Sequence, residues 1–250
     1  MLAIDFEFGT VWRFLFNEQI VMGAWRTLQV AVAAQVIGII LGVIFAMMRV
    51  ASNPVARTIS GLYVWIFRAT PVLLQLFILY YGIPQLVDDP EFSRQLTAFR
   101  AAIIAFGINE GAYMTEIIRA GILSVESGQM DAGQSLGMTR LQTMRRIVLP
   151  QALRVVVPPT GNEFIAMLKN TSIAAAISLV ELLHASRLIY ATNYDVMELL
   201  VVAAIWYLAM VTIFSIGQAE LERWLAIGER DRPQTLFSRA LQITGSGRGT

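Results

Sequence analysis

The sequence predicts an all-α integral membrane protein, and three observations carry that expectation. Hydrophobic residues make up 56% of the 250-residue chain and charged residues 15%, a balance too apolar for an ordinary soluble domain. Several stretches reach the roughly 20 apolar residues that a helix needs to cross a bilayer. The segments between them are polar, and their arginines are distributed unevenly, as they are when loops take opposite sides of a membrane. The chain has no cysteine, which excludes a disulfide framework, a zinc–thiolate site and a cysteine nucleophile. Its one histidine, His184, gives no basis for a histidine-built metal site or triad. The net charge of +1 says little about partners, and no nucleic acid is expected among them.

The chain opens with acids at Asp5, Glu7 and Glu18 and lacks the basic start of a signal peptide. Trp12 and its neighbouring phenylalanines suit an interfacial segment. Thr27 to Met48 is uncharged and forms the first expected span. Within it Ala34, Gly38, Gly42 and Ala46 recur every four positions, a stripe that lets another helix come close. Packing inside one subunit is the preferred reading of that stripe, ahead of a dimer seam. Arg49 and Arg57 bracket a short loop before a second span, about Ile59 to Tyr81. Arg68 lies inside this span, just ahead of Pro71. A mid-membrane arginine costs roughly 2.5–3.5 kcal/mol on insertion scales, so it needs a carboxylate, a cavity or a carbonyl cluster. Pro84 to Arg94 reads as an acidic loop. The third helix, about Thr97 to Leu123, is the weakest by hydropathy: Ala101 to Asn109 is uncharged, but Glu110, Glu116 and Arg119 follow. Glu116 and Arg119 are spaced to pair.

Residues 124–159 are too polar to cross a bilayer and predict two short helices. Ser127 caps the first, which starts near Gln129 and ends where Gly137 supplies a left-handed residue. Thr139 and Gln142 form a capping-box pattern for the second, which Pro150 stops. Leu141, Met144, Ile147 and Val148 share one face of it. Asp131, Ala132, Gly133, Ser135 and Gly137 are short, so the corner leaves room for another protein's backbone. Pro158-Pro159 precedes a fourth span, roughly Gly161 to Leu183, which carries Glu163 and Lys169. Glu181 to Asp195 reads as a polar loop and Leu199 to Ala219 as an uncharged fifth span. The tail ends in a compositionally disordered GSGRGT.

The central insert resembles the EAA loop of permease subunits of ABC importers. That pattern is roughly Glu-Ala-Ala, three residues, Gly, nine residues, Ile-x-Leu-Pro. Here it reads Asp131-Ala132-Gly133, then Gly137, then Ile147-Val148-Leu149-Pro150. Ala112-Tyr113-Met114-Thr115-Glu116, Ser124-Val125, Gly128-Gln129, Asn162-Glu163-Phe164 and Lys169-Asn170-Thr171-Ser172 are similar to the polar-amino-acid branch, as is Arg68-Ala69-Thr70-Pro71 with Gln75. The matches cover about residues 60 to 185. Asp131 and Gly133 depart from the usual Glu and Ala but keep the acidic or small character, which implies altered fit and retained docking.

The resemblance implies a type I importer permease. It supports the third helix as a span, making five, with a cytoplasmic coupling loop between the third and fourth. The permease domain is then 1–225 and a cytoplasmic tail 226–250. It implies a multi-pass subunit of the bacterial inner membrane that translocates a polar amino acid. A dimer of ABC ATPase subunits, an extracytoplasmic solute-binding protein and a second permease, identical or similar, are the implied partners. Gln129, Asp131, Ala132, Gly133, Leu136, Gly137 and Arg140 are the implied ATPase contacts.

Arginine placement gives orientation independently. Arg49, Arg57, Arg119, Arg140, Arg145, Arg146, Arg154, Arg223, Arg230, Arg232, Arg239 and Arg248 fall on one side. Arg13, Arg26, Arg94, Arg100 and Arg187 fall on the other. The central loop and C-terminus are expected in the cytoplasm and the N-terminus outside. No P-loop is present, since the single lysine, Lys169, sits between Leu168 and Asn170. ATP and Mg²⁺ are therefore expected on a partner, with no cofactor in this chain and no enzymatic activity of its own.

Charges at membrane depth are functional candidates by default. Arg68, Glu110, Glu163 and Lys169 are such groups, joined by Thr70, Gln75, Tyr113 and Asn162 as polar neighbours. Glu163 and Arg68 suit the ammonium and carboxylate of a zwitterionic amino acid, although Arg68 could instead pair internally with Glu110 or Glu163. Glu110 is weighted toward a structural role, and Lys169 toward a gate or salt bridge. An ion-coupled secondary transporter is the alternative, which would use the intramembrane acids. A membrane enzyme would need a cluster of nucleophile, base or metal ligands that the sequence does not offer.

Overall fold

The computed structural model describes residues 6–125 and 127–225. The tail from 226, with Arg230, Arg232, Arg239 and Arg248, lies outside the described residues, as does the Ser127 side chain. Every regular element among the described residues is helical, as expected. The amphipathic α1 (Phe8–Leu15) buries Val11 and Leu15 and leaves Phe8 73% exposed, as suits an interfacial segment. Asn17 accepts from Gln19 N–H at 2.9 Å and starts α2 (Glu18–Val50).

The 33 residues of α2 give a rod of about 50 Å, which is the spine of the molecule. Its small-residue stripe meets α7 (Ala98–Leu123) inside the same chain, as the sequence favoured. A methyl added at Gly38 would sit 2.8 Å from Glu110 Cβ, and one at Gly42 would sit 3.0 Å from the Met114 carbonyl carbon. The fit is reciprocal. Gly107 and Gly111 on α7 receive Ile37 and Leu41, each 2.8 Å from where a Cβ would lie. Two Gly-x-x-x-Gly pairs therefore interlock, and the second was not singled out in the sequence. Thr97 caps α7 by accepting from Arg100 N–H, so this helix begins and ends close to where the sequence put it.

The second span differs from the expectation of one continuous helix. Asn53 caps α3 (Pro54–Ala69), and the chain then turns by 102° into a run over Val72–Val87. That run comprises α4 (Val72–Phe77), a π turn (Ile78–Gly82) and α5 (Ile83–Val87). Pro71 disfavours helical backbone at the residue before it, and Thr70 is extended at φ −110°, ψ 144°. Side chains replace the lost ladder at the break. Thr70 Oγ1 donates to Ile66 O at 2.8 Å, and Gln75 Nε2 donates to Phe67 O at 2.9 Å and to Thr70 O at 3.1 Å. Asn109 Nδ2 also donates to Phe67 O, at 2.9 Å. The acidic segment that follows contains α6 (Pro90–Gln95), capped by Asp89.

In the central insert α8 (Ser127–Ser135) ends before Gly137, whose φ is +80°, and Thr139 with Gln142 forms the expected capping box of α9 (Arg140–Thr143). Pro150 does not stop the helix that follows. A π turn (Met144–Val148) passes without a break into α10 (Leu149–Asn170), and Pro150 falls at their junction, where the widened turn accommodates the ring and the ladder bond it cannot make. Pro158 and Pro159 lie inside α10 instead of preceding it. The carbonyls they deprive, at Arg154 and Val155, belong to exposed residues, and Thr160 Oγ1 bonds Val156 O at 2.8 Å. The expected apolar face is only partly used: Val148 is buried but Leu141 is exposed.

A 3₁₀ turn (Thr171–Ile177) extends α10. The segment read as a polar loop is largely α11 (Leu182–Asn193), because Glu181 accepts from the N–H groups of Leu183 and His184 and caps it. The last helix, α12 (Val196–Leu225), contains the fifth expected span. Exposed apolar side chains on α2 (Val36, Ile40, Val43) and α12 (Leu208, Ile213, Ile216) give the bundle the oily exterior that a bilayer requires.

Candidate functional site

Where α3 breaks, the end of that helix, the middle of α7 and the second half of α10 enclose a cleft of about 460 Å³. Arg68, Thr70, Phe106, Glu110, Tyr113 and Glu163 border it, together with Ala69, Pro71, Val72, Asn109, Met167 and Asn170. Each charged group arrives on a different helix. Arg68 is carried by the last turn of α3, so the break that frees backbone also presents a cation. Glu110 and Tyr113 are three apart on α7 and share a face. Glu163 lies one turn past the two prolines of α10.

The charges do not cancel one another by contact. Arg68 has no carboxylate within 4 Å among the described residues, so the alternative pairing with Glu110 or Glu163 is not formed. Its guanidinium carbon stands 5.1 Å from the centre of the Tyr113 ring, a cation–π arrangement that leaves its N–H groups available. Glu110 is 3% exposed, and its Oε1 has no hydrogen-bond partner among the described residues. A buried carboxylate oxygen without a partner is costly and calls for a ligand or a proton.

Five of the eight expected binding residues come together here: Arg68, Thr70, Glu110, Tyr113 and Glu163. Three do not. Gln75 braces the break through the bonds described above, and its Oε1 accepts from Asn109 Nδ2 at 3.0 Å. Asn162 turns toward α12, where its Oδ1 accepts from Gln218 Nε2 at 3.1 Å. Lys169 is exposed and does not border the cleft. Asn109 and Asn170 were missed. Asn109 was legible as an amide closing an otherwise apolar run, and Asn170 lies within the Lys169–Ser172 segment that carried the resemblance.

The central insert presents Gln129, Asp131, Ala132, Leu136, Gly137 and Arg140 to solvent, with Leu136 82% exposed. Gly133 faces inward instead. A methyl there would meet Thr143 Oγ1 at 2.8 Å and Cβ at 3.2 Å, so its small size serves the packing of α8 on the following turn. At that end of the bundle Glu116 bonds Arg119 at 2.7 Å, as its spacing predicted, and lies 3.8 Å from Arg49.

Comparison with known proteins agrees with this architecture. The arginine transport system permease protein ArgU of Corynebacterium glutamicum is 39% identical over 244 residues, 94% of this chain and 76% of the relative. The glutamine transport system permease protein GlnP of Escherichia coli is 30% identical over 224 residues, 90% of this chain and all of the relative. A crystal structure of an amino acid ABC transporter with histidines superposes with a TM-score of 0.78 at 33% identity, covering 89% of this chain and 99% of that chain. The family model described as binding-protein-dependent transport system inner membrane component matches residues 38–227. With its helical bundle, apolar exterior and charged internal cleft, the chain belongs to the family of binding-protein-dependent transport system inner membrane components.

Proposed function

We propose that this chain is the transmembrane subunit of an ATP-driven importer, and that the cleft beside Arg68 and Glu163 receives a polar amino acid during its passage. The observation that carries this reading is a cation and a carboxylate on different helices, facing one cleft without closing on each other. An α-amino acid brings the complementary pair, a carboxylate for Arg68 and an ammonium for Glu163. Relatives named for amino-acid transport support the substrate class, and their names differ in the amino acid, so that choice rests on the cleft.

The chain spans the inner membrane with five crossings, its N-terminus outside and residues 124–159 and 226–250 in the cytoplasm. Two ATPase subunits bind ATP and Mg²⁺ and grip the α8–α9 corner, a second permease completes the pathway, and a solute-binding protein delivers substrate. Their closure moves α10 through the continuous helix that leaves the corner, a rigid lever of the kind that couples distant sites.

The test is uptake into proteoliposomes that hold the full complex and its binding protein. Glu163→Gln and Arg68→Ala should each lower uptake about tenfold or more while ATPase subunits remain bound, since a charge-assisted hydrogen bond is worth that much. Wild-type uptake kinetics in both variants would remove the cleft from the pathway.

A further inference from the structure

Three formal charges border the cleft, two of them negative: Glu110 and Glu163 against Arg68 alone. A zwitterionic backbone accounts for Arg68 and Glu163 and leaves Glu110 unanswered. Glu110 is also the most enclosed of the three, and its Oε1 is without a partner among the described residues. Of its polar neighbours, Gln35 gives its amide N–H to Met114 Sδ at 3.7 Å and leaves its own oxygen unpartnered. The Asn109 amide is held by Phe67 O and Gln75 Oε1. Arg68, over the Tyr113 ring, has no carboxylate within 4 Å among the described residues. Lys169, the one lysine of the chain, stands outside the cleft. Two carboxylates in one low-dielectric cleft repel each other until a cation comes between them or one is protonated.

We propose that the cleft selects an amino acid with a cationic side chain, an ammonium or guanidinium that Glu110 receives while Arg68 and Glu163 hold the backbone groups. The inference rests on the reading of the cleft as the substrate site. A ligand with net charge +1 brings the site to neutrality, whereas a neutral amino acid leaves one carboxylate unmatched in a poorly solvated place. The cleft volume lies within the range of small-ligand sites, so a long basic side chain is accommodated.

Equilibrium binding of radiolabelled amino acids to the purified permease–ATPase complex, without its binding protein, tests this. L-lysine and L-arginine are the cationic probes; L-glutamine and L-citrulline are the neutral ones. At least one cationic probe should bind about tenfold tighter than both neutral ones. Glu110→Gln should abolish that preference, bringing the cationic probes to within about twofold of the neutral ones measured on the same variant. Glu110→Asp, which keeps the charge on a shorter stem, should retain the preference with weaker binding and shows that loss in the amide variant is not misfolding. A neutral probe binding wild type as tightly as both cationic ones would overturn the proposal. So would an intact preference in Glu110→Gln, the outcome expected if Glu110 shares a proton with an acceptor such as the equally unpartnered Gln35 Oε1. Arg68→Ala separates the two levels. Loss of all probes there with preference intact in Glu110→Gln sinks only this inference, whereas undiminished binding in Arg68→Ala sinks the substrate-site reading and this one together.

Discussion

Gln75 is the residue whose substitution best divides bracing from ligand contact. Its Nε2 donates to Phe67 O, Thr70 O and Thr70 Oγ1 between 2.8 and 3.1 Å, and its Oε1 accepts from Asn109. Gln75→Leu keeps the bulk and removes the whole set. Interhelical side-chain hydrogen bonds in membrane proteins average about 0.6 kcal/mol, so losing four such bonds costs about 2 kcal/mol. For a chain of this size that is a fall in melting temperature of about 5 °C. Gln75→Glu is the sharper probe. It puts a second oxygen where three acceptors already converge, so it should be less stable than the leucine variant by about 1 kcal/mol or more. Were Gln75 a contact for the substrate ammonium, glutamate would be tolerated or would improve binding. Thermal unfolding of the detergent-purified complex, with uptake measured in parallel, decides between them. If the glutamate variant is as stable as wild type, or uptake falls in the leucine variant with no loss of stability, the bracing argument is refuted.

Gly38→Val should cost about 3 kcal/mol or prevent assembly, because its branched side chain would drive α2 away from Glu110; unchanged yield and melting temperature would contradict the interlocked packing. Gly133→Val should leave the unfolding of the spans within about 1 kcal/mol of wild type and lower ATP-coupled uptake by about twofold or more. Adding Thr143→Ala, which removes the two nearer of the three crowding atoms, should restore part of it, and no restoration would mean that Gly133 acts through a partner. Leu136→Asp, at an 82% exposed position of the corner, should shift stability by no more than about 0.5 kcal/mol yet reduce ATPase co-purification, and full retention of the ATPase would exclude Leu136 from the docking surface.

What the sequence determined by itself was local or periodic. The helical membrane class followed from composition and the corner at Gly137 from a residue that tolerates positive φ, whereas the helix from about Thr97 to Leu123 rested on the family resemblance and a persisting apolar face. The Thr139–Gln142 cap and the Glu116–Arg119 pair depend on neighbours three positions apart, and both are present. The stripe from Ala34 to Ala46 announced close packing, although only the facing Gly107 and Gly111 show with what. The tertiary structure decided the rest. Proline sites do not state whether a helix breaks or continues: Pro71 breaks one because Gln75 and Asn109 can satisfy the freed carbonyls, while Pro150, Pro158 and Pro159 are absorbed by a π turn and an exposed face. The same holds for the cleft. Arg68, Glu110 and Glu163 converge, and Gln75, Asn162 and Lys169 diverge, because the azimuth of a helix is set by what packs against it. That information resides in partners 34 to 56 positions away in sequence, such as Asn109 for Gln75 and Gln218 for Asn162, and no local pattern encodes it.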